Sequence, residues 1–250
     1  MTSIPANPRA GGQVTGANLS DFDWTGADLT EASFTDCLIE DAEFSDTVLQ
    51  GARFIRCRII RARFATVDLR EAMFDDCVLA DPPSKTGPQF VFSRLDDTAF
   101  RRCDLTLGRV DRSSLHGVVM EDCNLRGARF EKADFSRAFG RKVITVAANF
   151  RRCNFDLADL SDARLPGCEL AGCDFREADL SGADLEGADL RAANLFGAIV
   201  DNAKLAGADL RGAEVSGLDL TRLASREGLK ITVDQQYPLL DALGIDVNPA

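Results

Sequence analysis

The chain has 250 residues, 45% hydrophobic and 28% charged, with Gly 20 and Pro 8, which is globular rather than disordered material. No window approaches the ~18 uncharged apolar residues of a membrane span, and the start MTSIPANPRAGGQ lacks a secretory signal's charged and apolar regions, so a cytoplasmic protein without a membrane partner is expected. The net charge of −11 weighs against a broadly basic nucleic-acid surface, and a single histidine, His116, removes zinc sites built on several imidazoles and most nucleophile–base pairs.

Residues 1–16 read as a flexible N-terminus. From Ala17 a period of five takes over, as GADLT, EASFT, DAEFS and GARFI, and later as EADLS, GADLE, GADLR and AANLF. A large apolar residue falls at every fifth position, from Leu19, Trp24, Leu29, Phe34 and Ile39 onward to Leu79, with a small residue, usually Ala, two places before it. Phe22 is the main exception. A period of five with two inward positions fits neither a 3.6-residue helix nor a two-residue strand. It fits a solenoid in which each pentapeptide forms one side of a square coil and successive coils stack by strand-like hydrogen bonds.

The cysteines measure the coils. All eight, Cys37, Cys57, Cys77, Cys103, Cys123, Cys153, Cys168 and Cys173, precede a large apolar residue by two. Cys37, Cys57 and Cys77 are 20 residues apart and so lie one above another, whereas the spacings of 26 from Cys77 to Cys103 and 30 from Cys123 to Cys153 imply two insertions. The Pro/Gly-rich ADPPSKTGPQ supplies the first and SRAFGRKVITVAAN the second, which places loops at about 80–89 and 136–149. What remains is about 38 repeats, roughly nine and a half coils, or a tower about 45 Å tall at strand spacing. The thiols read as small buried fillers where Ala otherwise sits, so neither metal nor cofactor is expected.

Past Leu220 the period stops. Leu229-Lys230-Ile231 reads as a short strand, and Thr232 with Gln235 forms a capping-box pattern ahead of a helix over Val233 to Leu243. Val233, Tyr237, Leu240 and Leu243 fall near one face of that helix, Pro238 is expected to kink its first turns, and Gly244 to end it. Residues 221–250 therefore read as a capping and dimerisation segment over an otherwise open edge.

Charge is uneven along the chain. Residues 154–250 hold 18 acids and 8 bases, while residues 1–153 are nearly neutral. Column alignment sorts the acids into Glu169, Asp189 and Asp209 on one side, Asp159, Asp179 and Asp219 on another, and Asp174, Asn194 and Glu214 on a third. Like charges on adjacent strands ordinarily destabilise. They read either as a surface for a basic partner or as carboxylates that hydrogen-bond turn backbone. A basic belt of Arg53, Arg56, Arg58, Arg61 and Arg63, and the bases Arg137, Arg141 and Lys142 of the second loop, read either as pairing with neighbouring acids or forming a solvated face, or as touching DNA or an acidic partner surface.

The A(D/N)LXX pattern from Ala17 to Leu220 resembles the pentapeptide repeat family, which implies an all-β fold, a right-handed quadrilateral β-helix. Two loops in this order and the segment GLKITVDQQYPLLDALGIDV resemble the Qnr-type quinolone-resistance subgroup, with an extra N-terminal coil and a more basic second loop as departures. The resemblance implies a non-enzymatic DNA mimic that protects DNA gyrase or topoisomerase IV from quinolones or a natural gyrase toxin, without binding nucleic acid itself. It further implies a homodimer through Val233, Tyr237, Leu240 and Leu243, loop contacts from Pro83, Lys85, Arg137, Phe139, Arg141, Lys142 and Ile144, and partner contacts from the acidic columns. The alternative is a scaffolding repeat protein with an unrelated protein partner.

Overall fold

Burying the central residue and the small residue two before it, in every five, forces the chain to turn a corner after each pentapeptide. The computed structural model, which describes residues 8–139 and 143–246, is an all-β solenoid built this way. Each side consists of three extended residues, and corners close by bonds such as the Ala163 N–H to the Leu160 carbonyl at 3.1 Å. Four faces result. Face I carries Ile39, Ile59 and Leu79, face II Phe44, Phe64 and Phe90, face III Leu29, Leu49 and Leu69, and face IV Phe34, Phe54 and Phe74, all buried.

Parallel ladders fix the register. On face IV the partners run Gln13, Ser33, Arg53, Met73, Ala99, Val119, Asn149, Glu169, Asp189, Asp209 and Lys230. The steps from Met73 to Ala99 and from Val119 to Asn149 absorb the two insertions where the cysteine spacing puts them. Two aromatic columns fill the lower core. Phe34, Phe54, Phe74 and Phe100 stack at 4.8–4.9 Å on face IV, and Phe44, Phe64 and Phe90 at 4.4–4.8 Å on face II. Phe22 meets Trp24 edge-on at 4.8 Å in the first coils, where a large residue is accommodated at a position that is otherwise small. Along face I the thiols of Cys57, Cys77, Cys103 and Cys123 each donate to a carbonyl of the preceding coil at 3.3–3.4 Å.

Three expectations change. Gln13–Thr15, placed by sequence in a flexible N-terminus, pairs with Ser33–Thr35, because Val14 packs on the first coil in place of a leucine; residues 1–7 lie outside the described residues. Beyond Leu220 the ladder continues, with Lys204 paired to Ser225 and Asp209 to Lys230. A 3-10 turn over Leu220–Arg222 precedes the one-residue shift that hides this last coil from the period. Of Leu229 to Ile231, only Lys230 makes a bridge, so no separate strand forms.

The C-terminal helix α1 (Gln236–Asp241) is shorter than Val233 to Leu243. Thr232 donates both its N–H and its hydroxyl to Gln235 Oε1, at 2.7 and 2.9 Å, which draws Gln235 into the N-cap position and delays the helix. Pro238 then sits in the first turn, where its missing N–H needs no partner, and it starts the helix rather than kinking it. Gly244 ends the helix at φ 72°, with Ile245 N–H bonded to the Leu240 carbonyl and Gly244 N–H to that of Asp241, a Schellman stop.

Candidate functional site: partner-binding surfaces

The acids of the C-terminal half act first on their own backbone. Asp159, Asp174, Asp179, Asp189, Asp209 and Asp219 each accept the N–H of the residue two places on, at 2.9–3.2 Å, and Glu214 does the same for Ser216 at 2.8 Å. A carboxylate one residue before the central leucine is thus placed to hold the first N–H of the next corner. These positions tie the corners as well as facing outward, so charge reversal there disturbs the fold.

The columns differ in what neutralises them. On face IV, Glu169 pairs with Arg151, Asp189 with Arg191 at 2.6 Å and Asp209 with Arg211 at 2.6 Å. The Arg211 guanidinium holds the Asp209 carboxyl down to about 2, and Arg191 lowers Asp189 in the same way. On face I, Asp174 pairs with Arg176 at 2.6 Å. On face II the column is Asp159, Asp179 and then Ile199, so it is interrupted before Asp219. Among the described residues, Asp159, Asp162, Glu177, Asp179, Glu214 and Asp219 form no ion pair. Asp159, Asp179 and Asp219 lie on face II, Glu177 and Asp162 at its two corners and Glu214 on face I, so this unpaired charge is centred on face II, not on the side with the longest acidic column.

The basic belt is largely internal. Arg56 pairs with Asp36 at 2.8 Å, Arg63 with Glu43 at 2.8 Å, and Arg61 bridges Asp41 at 2.7 Å and Asp81 at 2.9 Å. Asp81 is buried at the root of the first loop, with Arg58 at 4.0 Å and the Ser84 hydroxyl at 2.7 Å, and the Ser84 bond and Arg61 lower its carboxyl. The loop turns through a 3-10 segment, Pro82–Ser84, that exposes Pro83 and leaves Lys85 exposed at φ 54°.

The second insertion is an antiparallel hairpin of Ser136–Phe139 and Val143–Val146 rather than an irregular loop. It is tethered to face III: Arg137 lies 3.1 Å from Asp97 and 3.8 Å from Asp96, and His116 Nε2 lies 3.1 Å from Thr145 Oγ1. Asp96, nearly buried, accepts the His116 N–H and the Ser114 hydroxyl. Sequence reasoning missed His116, Asp96 and Thr145, since contacts 20 or 29 residues apart follow only from the coil register. Phe139 and Ile144 belong to the paired strands, while Arg141 and Lys142 lie outside the described residues.

At the C-terminal end Gln235 bolts α1 to the last coil. Its side-chain amide donates to the carbonyls of Leu210 and Ala213, both at 2.7 Å, and Leu239 is buried beside it. The face named from sequence turns outward instead: Val233 is 80% and Tyr237 51% exposed, Leu243 is exposed and Leu240 half-buried, with Ile231 and Ile245 exposed as well. Among the described residues no group of His, Cys, Asp and Glu is arranged to hold a metal ion, and no helix is long and apolar enough to cross a membrane.

The profile of the family described as pentapeptide repeats matches residues 13–46, 42–80, 110–139, 153–191 and 188–222. The quinolone resistance pentapeptide repeat protein QnrB96 of Scandinavium goeteborgense is 28% identical over 105 residues, 42% of this chain, and the match spans about half of that relative's length (49%). Two structures of trypsin-treated QnrB1 variants, a plasmid-mediated fluoroquinolone resistance protein, superpose with TM-scores of 0.75 and 0.69. The first is 26% identical and covers 84% of this chain and 97% of QnrB1, and the second is 25% identical and covers 95% and 99%.

Proposed function

Because the chain belongs to the pentapeptide repeat family, we propose that it is a non-enzymatic, cytoplasmic homodimer that binds DNA gyrase or topoisomerase IV and protects it from quinolones or a natural gyrase toxin. The observation that carries this reading is the near-complete superposition on QnrB1, a fluoroquinolone resistance protein, combined with two insertions projecting from an otherwise regular tower. The exposed apolar residues around α1 support a dimer, since a second chain seated there covers Val233 and Tyr237, which are exposed among the described residues. Joining two chains there brings two halves of net charge −10 together at the middle of a rod, which a basic DNA-binding surface attracts over long range. Eight buried free thiols suit a reducing compartment. In this reading the protein occupies a DNA site without contacting DNA. The test is competition: purified protein displaces a labelled duplex from gyrase or topoisomerase IV and does not itself retard that duplex. Binding to the free duplex, or no displacement at saturating protein, overturns the reading.

A further inference from the structure

One edge of the tower, the corner between faces I and II, gathers exposed apolar side chains. Leu107, Leu157, Phe196 and Ile199 are 38%, 48%, 50% and 45% exposed. Their corners stack directly, through bonds from Leu107 N–H to the Arg126 carbonyl, Gly127 N–H to Asp156, Leu157 N–H to Arg176 and Glu177 N–H to Phe196. Two coil steps therefore separate Leu107 from Leu157, and two more separate Leu157 from Phe196, about 10 Å each time. Leu107 and Leu157 hold left-handed φ angles of 57° and 59°, where glycine serves at other corners of the same edge, at Gly197 and Gly217.

Charge points to what covers this strip. Asp159 and Asp179, on face II beside Leu157 and Ile199, and Glu177, between Leu157 and Phe196, form no ion pair among the described residues, while Arg126 and Arg176, which stand at this edge between the apolar steps, are taken up by Asp156 at 2.8 Å and Asp174 at 2.6 Å. We infer that this edge is a docking surface for an amphipathic helix of a partner protein, one with apolar side chains at every seventh residue and lysines or arginines along the flank that lies over face II. Seven residues of helix advance about 10.5 Å, which matches the spacing of the apolar steps, and the basic flank meets the free carboxylates. The surface does not depend on which protein supplies the helix, so it stands apart from the topoisomerase reading.

The probe is a synthetic, side-chain-stapled helix of roughly 18 residues with leucine at every seventh position and lysine along one flank, titrated by fluorescence anisotropy. Its controls are a same-composition peptide with the leucines scattered and one with glutamate along that flank. The full-length protein is expected to bind the first peptide at least about tenfold more tightly than either control, a difference that Leu157→Gly, Phe196→Ser and Ile199→Thr together abolish. Glycine suits the left-handed corner at 157, and an unchanged thermal melt of the triple variant keeps the comparison free of unfolding. As a second variant, Asp189→Asn with Asp209→Asn, on the neutralised face IV, is expected to leave binding unchanged. Equal affinity for the scattered peptide, or undiminished binding by the folded triple variant, overturns the inference. Gyrase protection is measured separately on the same proteins, so loss of one reading is distinguishable from loss of the other.

Discussion

Arg211 donates from Nε and Nη2 to the two carboxylate oxygens of Asp209, at 2.8 and 2.6 Å, and the same geometry recurs one coil earlier between Arg191 and Asp189. The acidic column that looks most like a partner surface is therefore matched by an arginine column two residues on. Free acidic charge lies on the opposite side of the tower, on face II.

This makes a charge prediction specific to a face. Asparagine keeps the oxygen that accepts the corner N–H and removes only the charge. Asp159→Asn with Asp179→Asn is expected to weaken binding to gyrase and to flatten its dependence on salt, with little change in melting temperature. Asp189→Asn with Asp209→Asn is expected to affect binding less. Equal losses from the two double variants, measured by salt-dependent titration, contradict the assignment.

The C-terminal cap separates docking from dimerisation. Gln235→Ala strands two carbonyls of the last coil and is expected to cost about 1–3 kcal/mol. Leu239→Ala is expected to cost about 2–5 kcal/mol, nearer the low end because the site lies at the tower's end. Hydrogen exchange at residues 205–213 rises in both variants if α1 holds that coil closed; unchanged protection refutes the bolt.

Val233→Glu with Tyr237→Glu alters only exposed side chains. Multi-angle light scattering is expected to show a dimer for the unaltered protein and a folded monomer for the variant. A monomer before substitution, at micromolar concentration, removes the rod-length mimic.

Acid sensitivity follows from the paired carboxylates. Asp209, held at about 2 in the folded chain against 3.8 ordinarily, contributes stability that is present above its unfolded value and lost as pH falls toward 2. Asp209 is half-buried but its partner Arg211 is exposed, so solvent screens the pair and the contribution is small. Asp209→Asn is expected to reduce the slope of stability against pH between about 4 and 2 and to leave the slope near neutrality unchanged. A variant whose acid denaturation curve superimposes on the parent's contradicts the Arg211 pairing.

How far the sequence could be read depends on what repeats. Leu19, Phe34 and Cys57 announce their burial because each recurs in register, and the Cys77-to-Cys103 spacing alone locates the first insertion. The Asp-Leu-Arg triplets at 189–191 and 209–211 spell out the neutralised column once adjacent corners are known to bring i and i+2 together. Val14 with Gly12 departs too far from Leu and Ala to mark the first coil, and the residue gained before Ser225 erases the last. Single events carry no period: the tether of Arg137 and His116 to the hairpin, and the amide of Gln235 against Leu210 and Ala213, depend on close approaches that only the wound chain creates.

The central claim is protection of a type II topoisomerase, and gyrase supercoiling in the presence of ciprofloxacin measures it directly. The account predicts that purified protein restores supercoiling in a concentration-dependent manner, and that replacing residues 137–146 by a short turn abolishes the rescue while the melting temperature is retained, since Ala148–Arg151 still pairs with Val118–Glu121. No restoration by the unaltered protein at any ratio to enzyme or drug, with both gyrase and topoisomerase IV tested, contradicts it.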